Sequence, residues 1–86
     1  MIWLETMEYI IQNHKKNKNY HKAIMHALYL QNLEPYLESA YYTLMDLFAE
    51  IKDFSAVERQ YRQLEKVLKS EYNSKPSKPI EYYYSI

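Results

Sequence analysis

The feature that most constrains the fold of this chain is a pattern of residues that repeats after 34 positions. Tyr20 and Phe54 each open a similar apolar pattern, and Lys18 is repeated as Lys52 among the polar residues before them. This spacing is the length of one helix–turn–helix repeat unit. The 86 residues contain no glycine and three prolines. Because β-rich folds usually need glycine at tight turns, we predict an all-α protein.

Apolar residues recur at the i, i+3, i+4 and i+7 spacing of a helical face in four stretches. We therefore predict four helices that form two antiparallel hairpins. The four stripes, in chain order, are Trp3, Met7, Ile10, Ile11 and His14; Tyr20, Ala23, Ile24, Ala27, Leu30 and Leu33; Leu37, Tyr41, Leu44, Met45 and Phe48; and Phe54, Val57, Tyr61, Leu64, Val67 and Leu68.

Short polar residues and a proline mark the predicted helix ends. Asn19 and Asp53 are expected N-caps of the second and fourth helices, because their side chains accept bonds from orphan backbone amides. Pro35 ends the second helix, since the residue before a proline disfavours helical geometry.

We divide the single domain into four parts: repeat one at 1–34, repeat two at 35–69, a polar linker at 70–78 and a short terminal helix at 79–86. The terminal helix would present Ile80, Tyr83 and Tyr84 on its apolar side. A helix this short must dock on the rest of the chain to be ordered.

Charge and composition argue against several functions. The formal net charge is zero, whereas free-standing nucleic-acid binders have a basic footprint. A lysine cluster from Lys15 to Lys22 leaves direct DNA contact as a weak alternative. The sequence has no apolar run of the roughly 20 residues that span a bilayer, and the acids Glu5 and Glu8 do not fit a signal peptide. We expect a cytoplasmic protein with no membrane partner.

Catalytic and metal chemistry find little support. His14, His21 and His26 are spaced by seven and five residues, whereas helical ligand pairs share a face at i,i+3 or i,i+4. The chain has no cysteine, which excludes thiolate metal sites and disulfides. With no nucleophile motif or glycine-rich loop, we expect neither an enzyme nor a cofactor.

The register resembles the tetratricopeptide repeat, in which an aromatic residue opens the second helix, small residues follow it and a proline ends it. Tyr20, Ala23, Ala27 and Pro35 match the first unit, and Phe54 matches the second. The resemblance implies two hairpins stacked in a right-handed α–α superhelix. The glycine common in the first helix of each unit is absent.

A narrower match runs from about Tyr20 to Ser77 and resembles the bacterial transcriptional activator domain. The matching runs include Leu33-Glu34-Pro35-Tyr36, Ala49-Glu50-Ile51-Lys52-Asp53, Arg59-Gln60-Tyr61 and Pro76-Ser77. Lys52 and Asn73 stand where that family often has glycine.

This resemblance implies a regulatory role in a bacterial transcription factor, in which such domains follow a winged-helix or response-regulator-type DNA-binding domain. We therefore expect an excised fragment or a very short relative. The implied partners are proteins: the DNA-binding domain of the same regulator, a second copy, or a transcription partner. DNA would be contacted only through a missing upstream domain. A general tetratricopeptide peptide-binding scaffold outside transcription is the alternative.

The first helix of each unit is expected to line a groove, and Glu8, Gln12, Tyr42 and Asp46 are the predicted protein-binding residues. The groove as a whole would present Glu5, Glu8, Gln12 and Lys15 from unit one, and Ser39, Tyr42, Asp46 and Ala49 from unit two. Its mixed to acidic character favours a basic or neutral peptide, or a neighbouring domain. A plain solvated surface remains the other reading.

Two units are few for a stable repeat array, since about three are usually needed. We therefore expect self-association or an upstream partner that covers Trp3 and the first helix. The tyrosines at 82–84 would be either an interaction edge or a cap on the last unit.

Overall fold

Four helices make up the regular structure that the computed structural model describes, and no strand occurs among these residues. The structure describes residues 2–77, 80 and 83, and their side chains from Glu5 onward. The helices are α1 (Ile2–Lys16), α2 (Tyr20–Leu33), α3 (Glu38–Glu50) and α4 (Phe54–Tyr72). The predicted all-α class and the four helices are confirmed. The side chain of Trp3 lies outside the described residues.

The two hairpin turns have the same backbone geometry at the 34-residue spacing. Lys18 and Lys52 have φ angles of 59° and 63°, in the left-handed region. In both turns the next amide closes back on the preceding helix: Asn19 N–H donates to the His14 carbonyl at 2.8 Å, and Asp53 N–H to the Phe48 carbonyl at 2.9 Å. This pattern ends a helix with its carbonyls satisfied.

The two predicted N-caps behave differently. The Asp53 carboxylate accepts the Ala56 amide at 3.2 Å, as predicted. Asn19 stands at the N-cap position of α2, but its side chain makes no capping bond, so its predicted side-chain role is wrong. The Asn19 carbonyl instead accepts the Ala23 amide. At this helix start, Asn19 therefore contributes a backbone hydrogen bond and no side-chain bond.

Helix α4 extends further than the sequence suggested. It continues to Tyr72, so residues 70–72 of the predicted linker are helical. This last turn is exposed, and an exposed helical turn can be as polar as a loop. Asn73, with φ of 50°, ends the helix. Asparagine is one of the non-glycine residues that tolerate this conformation best.

Helix α3 contacts both α2 and α4. It is buried on several sides, and its buried residues are Ala40, Tyr41, Leu44, Met45, Leu47 and Ala49. One apolar cluster joins Leu44 to Ile11, Ala27 and Leu30 of the first hairpin. A second joins Met45 to Val57 of α4.

Most predicted stripe residues are buried or half-buried, but Leu33 is 46% exposed and does not belong to the core. Leu33 is the last residue of α2, beyond the part of the helix that contributes to the buried cluster. The predicted terminal helix at 79–86 lies mostly outside the described residues. Within it, Tyr83 N–H donates to the Ile80 carbonyl at 3.0 Å.

Candidate protein-interaction surfaces

The faces of α1 and α3 that were expected to line a groove meet through an ion pair. Glu8, Gln12 and Lys15 share one face of α1, since their spacing is i, i+4 and i+7. The Lys15 ammonium donates to the Asp46 carboxylate of α3, and each side chain is 29% exposed. Asp46 is therefore already paired inside the molecule. Glu8 and Gln12 remain on the surface, and their binding role stays a prediction.

Tyr42 holds Ser77 and Tyr83 against α3. Its hydroxyl bonds the Glu38 carboxylate and accepts the Ser77 amide at 2.8 Å. The Ser77 hydroxyl also donates to Glu38 at 3.2 Å. The Tyr42 ring stacks on that of Tyr83, with centroids 6.5 Å apart. Tyr42 thus contacts residues of its own chain at the position where an external peptide was expected.

Tyr83 covers the second apolar cluster. It is 1% exposed and packs with Met45, Ala49 and Val57, and Ile80 lies against the same cluster. Ala49 is consequently buried, so its expected place on an open groove is wrong. We call Ser77, Ile80 and Tyr83 the C-terminal segment. The burial of Tyr83 agrees with the expectation of a cap; Tyr82 and Tyr84 lie outside the described residues.

A different surface is left open on the first hairpin, between α1 and α2. Met7, His14, Lys22, Met25, His26 and Tyr29 line a groove of about 780 Å³, which we call the open face. Met25 and Tyr29 follow the buried Ala23 and Ala27 by two residues each, so they point away from the core. They are 68% and 56% exposed. Exposed apolar grooves of this kind are typical of interaction sites.

Two histidines meet at this face. The rings of His14 and His26 are stacked, with centroids 5.3 Å apart and an interplanar angle of 5°. The two residues belong to different helices, so their spacing along the chain did not predict this contact. His21 is exposed. Within the described ranges, no group of three or more histidine, aspartate or glutamate side chains is arranged to hold a metal ion.

Sequence reasoning missed Met25 and Tyr29 because the second stripe was interpreted as a single buried face. A signal was present in the repeat register. Shifted by 34 residues, Met25 and Tyr29 correspond to Arg59 and Gln63. A position that is polar in one unit and apolar in the other indicates a surface used differently by the two units.

The ionisation of Tyr41 is perturbed by its surroundings. Burial raises the pKa of the Tyr41 phenol, and the neighbouring Tyr36 contributes to the same shift. The hydroxyl donates to the Pro35 carbonyl at 2.8 Å. This bond ties the turn between the hairpins to α3, so Tyr41 has a structural role.

Comparison with known proteins adds no family: no protein-family model matches the chain, and no curated protein or solved structure shows significant similarity to it. Over the part of the chain that the structure describes, none of the helices combines the length and apolar character needed to cross a membrane.

Proposed function

We propose that the chain is a tetratricopeptide-like module that regulates a bacterial transcription factor through protein–protein contact and not through catalysis. The two hairpins would be successive repeat units in right-handed stacking. The turns at Lys18 and Lys52, with equivalent φ angles and hydrogen bonds one repeat apart, support this arrangement. The assignment to transcription rests on the sequence resemblance between Tyr20 and Ser77.

The observation that carries the contact function is the asymmetry between the two ends of the molecule. The second hairpin is covered by the C-terminal segment, with Tyr83 buried in its apolar cluster. The first hairpin leaves Met25 and Tyr29 in water. Removal of apolar surface from water favours association. The open end is therefore the favoured place for a partner protein.

The formal net charge of zero and one ion pair argue against DNA as the direct ligand. Lys15, the first residue of the lysine cluster, is paired with Asp46. Contact with DNA would instead pass through a separate DNA-binding domain, which this module would orient or help to oligomerise.

A tethering experiment tests the proposal. The chain is fused behind a monomeric DNA-binding domain of known operator and expressed in bacteria with a reporter gene. We expect the fusion to change reporter output several-fold, and Met25→Glu with Tyr29→Glu to abolish the change. The matched control is Arg59→Glu with Gln63→Glu, the equivalent positions of unit two. Unchanged output from a folded, expressed fusion would contradict the transcriptional role and favour the general peptide-binding scaffold.

A further inference from the structure

We propose that the open face binds an amphipathic α-helix whose apolar stripe is flanked by acidic residues. This inference rests on the proposed contact function and names the chemistry of the partner. It follows from the contacts of the equivalent face in unit two and from the charges around the groove.

The repeat register identifies one position of the open face whose equivalent in unit two contacts a helix. Shifted by 34 residues, Met7 and His26 correspond to Tyr41 and Gln60. In unit two, Gln60 adjoins a helix of the preceding unit, because it accepts a hydrogen bond from Gln31 of α2 at 2.6 Å. Tyr41 is buried with Leu64 and Leu68 of its own unit.

The same face of unit one has no preceding helix among the described residues. A groove between two packed helices accommodates a third helix at a spacing of about 8–10 Å. Met25 and Tyr29 lie one turn apart on this surface, so apolar residues at i, i+3 or i+4, and i+7 of the incoming helix would meet them.

Charge selects among helical partners. Lys22 lines the open face together with His14 and His26, and the described residues that line it include no carboxylate. The sequence holds no acidic residue between Glu8 and Glu34. Acidic residues beside the apolar stripe of the partner would therefore complement this surface and speed association.

A second copy of this chain fits the open face less well. A two-fold pairing of two open faces would bring together two surfaces whose described lining includes a lysine and no carboxylate, and like charges opposed in an interface cost several kcal/mol. A head-to-tail pairing would need the free apolar end of unit two, where Tyr83 is already buried. The occupant we infer is therefore a different, acidic helix.

The test is a selection from a phage-displayed library of helix-forming peptides of about 18 residues, or five turns, against the whole chain. We expect the selected peptides to carry an apolar stripe with aspartate or glutamate at its edges. A selected peptide is then synthesised and its Kd is measured by fluorescence anisotropy. Tyr29→Ala should raise the Kd at least about tenfold, as expected of an aromatic anchor.

Charge reversal provides the specific readout. Lys22→Glu should weaken the acidic peptide and strengthen a version whose edge residues are lysine. The control is Lys66→Glu, the same change at an exposed position of α4, which should leave both Kd values unchanged. Because Lys22 is exposed, its substitution leaves the fold intact.

Several outcomes would overturn the inference. These are selected peptides without acidic edges, an unchanged Kd with Lys22→Glu, or a dimer in sedimentation that Met25→Lys dissociates. Peptides that bind elsewhere on the chain would refute this inference and leave the proposed contact function standing. If no peptide binds any surface, the contact function itself is contradicted.

Discussion

Replacing Lys18 or Lys52 by glycine is expected to stabilise the protein. Both residues have positive φ angles, 59° and 63°, where a side chain with a Cβ atom costs about 1–2 kcal/mol. Glycine adopts this conformation freely but loses about 0.5–1 kcal/mol more conformational entropy on folding. The difference leaves a net gain of about 0.5–1 kcal/mol for each turn. For a domain of this size, that gain corresponds to an increase in Tm of about 2–8 °C.

The assay is thermal unfolding followed by circular dichroism on the two single variants and the double variant. The matched control is Lys66→Gly in the exposed face of α4, which should lower the free energy of unfolding by about 1 kcal/mol. Because the two turns share no hydrogen-bond partner, the two gains should add within about 0.5 kcal/mol.

A fall in Tm for Lys18→Gly or Lys52→Gly, similar to that of the control, would refute the reasoning. It would mean that the two lysines do not have left-handed backbones in solution. The equivalence of the two turns, and with it the strongest structural support for a repeat, would then be lost.

Three further substitutions test the packing. Tyr41→Phe should destabilise the protein by about 1 kcal/mol at neutral pH, because the Pro35 carbonyl loses its donor. The difference in free energy of unfolding between this variant and the wild type, measured by urea unfolding, should narrow above about pH 10. Tyr83→Ala should lower the free energy of unfolding by about 3 kcal/mol or more, because it empties a buried site. A double-mutant cycle to alanine on Lys15 and Asp46 should give a coupling of about 0.5–1.5 kcal/mol, since this pair is partly shielded from water.

The sign of the alkaline prediction follows from linkage. Burial raises the pKa of Tyr41 in the folded state, so the neutral phenol favours folding. That contribution is complete below the unfolded pKa and is lost as pH rises through the folded value. Tyr41→Phe lacks the titrating group. A deficit that stays constant from neutral to alkaline pH would contradict this account.

Controls distinguish the other two effects from general damage. Tyr72→Ala removes a tyrosine that is 60% exposed and should change stability by less than about 0.5 kcal/mol. If it costs as much as Tyr83→Ala, Tyr83 has no special packing role. The exposed pair Arg62 and Glu58 should show almost no coupling. A cycle for Lys15 and Asp46 that also gives none would refute their partial shielding.

Local chemistry made much of the fold predictable. The apolar spacing located all four helices. Helix α2 begins at Tyr20 and helix α4 begins at Phe54, the two residues that open the repeated pattern. Asp53 caps as expected, because an N-cap bond joins residues close in sequence. Asn19 does not cap, although its side chain has the same capacity. The last turn of α4 was missed because its exposed residues carry no apolar signal.

Contacts between distant residues explain most of what the sequence did not reveal at the surface. Nothing in the spacing predicts that Lys15 pairs with Asp46, 31 positions away. The bond between Ser77 and Tyr42 likewise joins the C-terminal segment to α3. Both contacts arise from tertiary packing and engage two of the four residues predicted to bind a protein.

The sequence did not predict the exposed apolar side of α2, for a different reason. Met25 and Tyr29 add apolar residues to a helix whose opposite side is already buried. In a single sequence, such residues look like additional core. Only the structure shows that α1 and α3 both contact α2 while Met25 and Tyr29 face water.

Methionine methyl groups offer the most direct measurement of the central claim, that the open face is free for a partner helix. Met7 and Met25 lie on that face, and Met45 is buried in the second apolar cluster. In ¹³C-methyl-labelled protein with a soluble paramagnetic agent, we predict strong broadening of the Met25 signal and protection of Met45, independent of protein concentration. Addition of the acidic helical peptide should protect Met25. Protection of Met25 in the free, dilute protein, or its continued broadening in the peptide complex, would contradict the account.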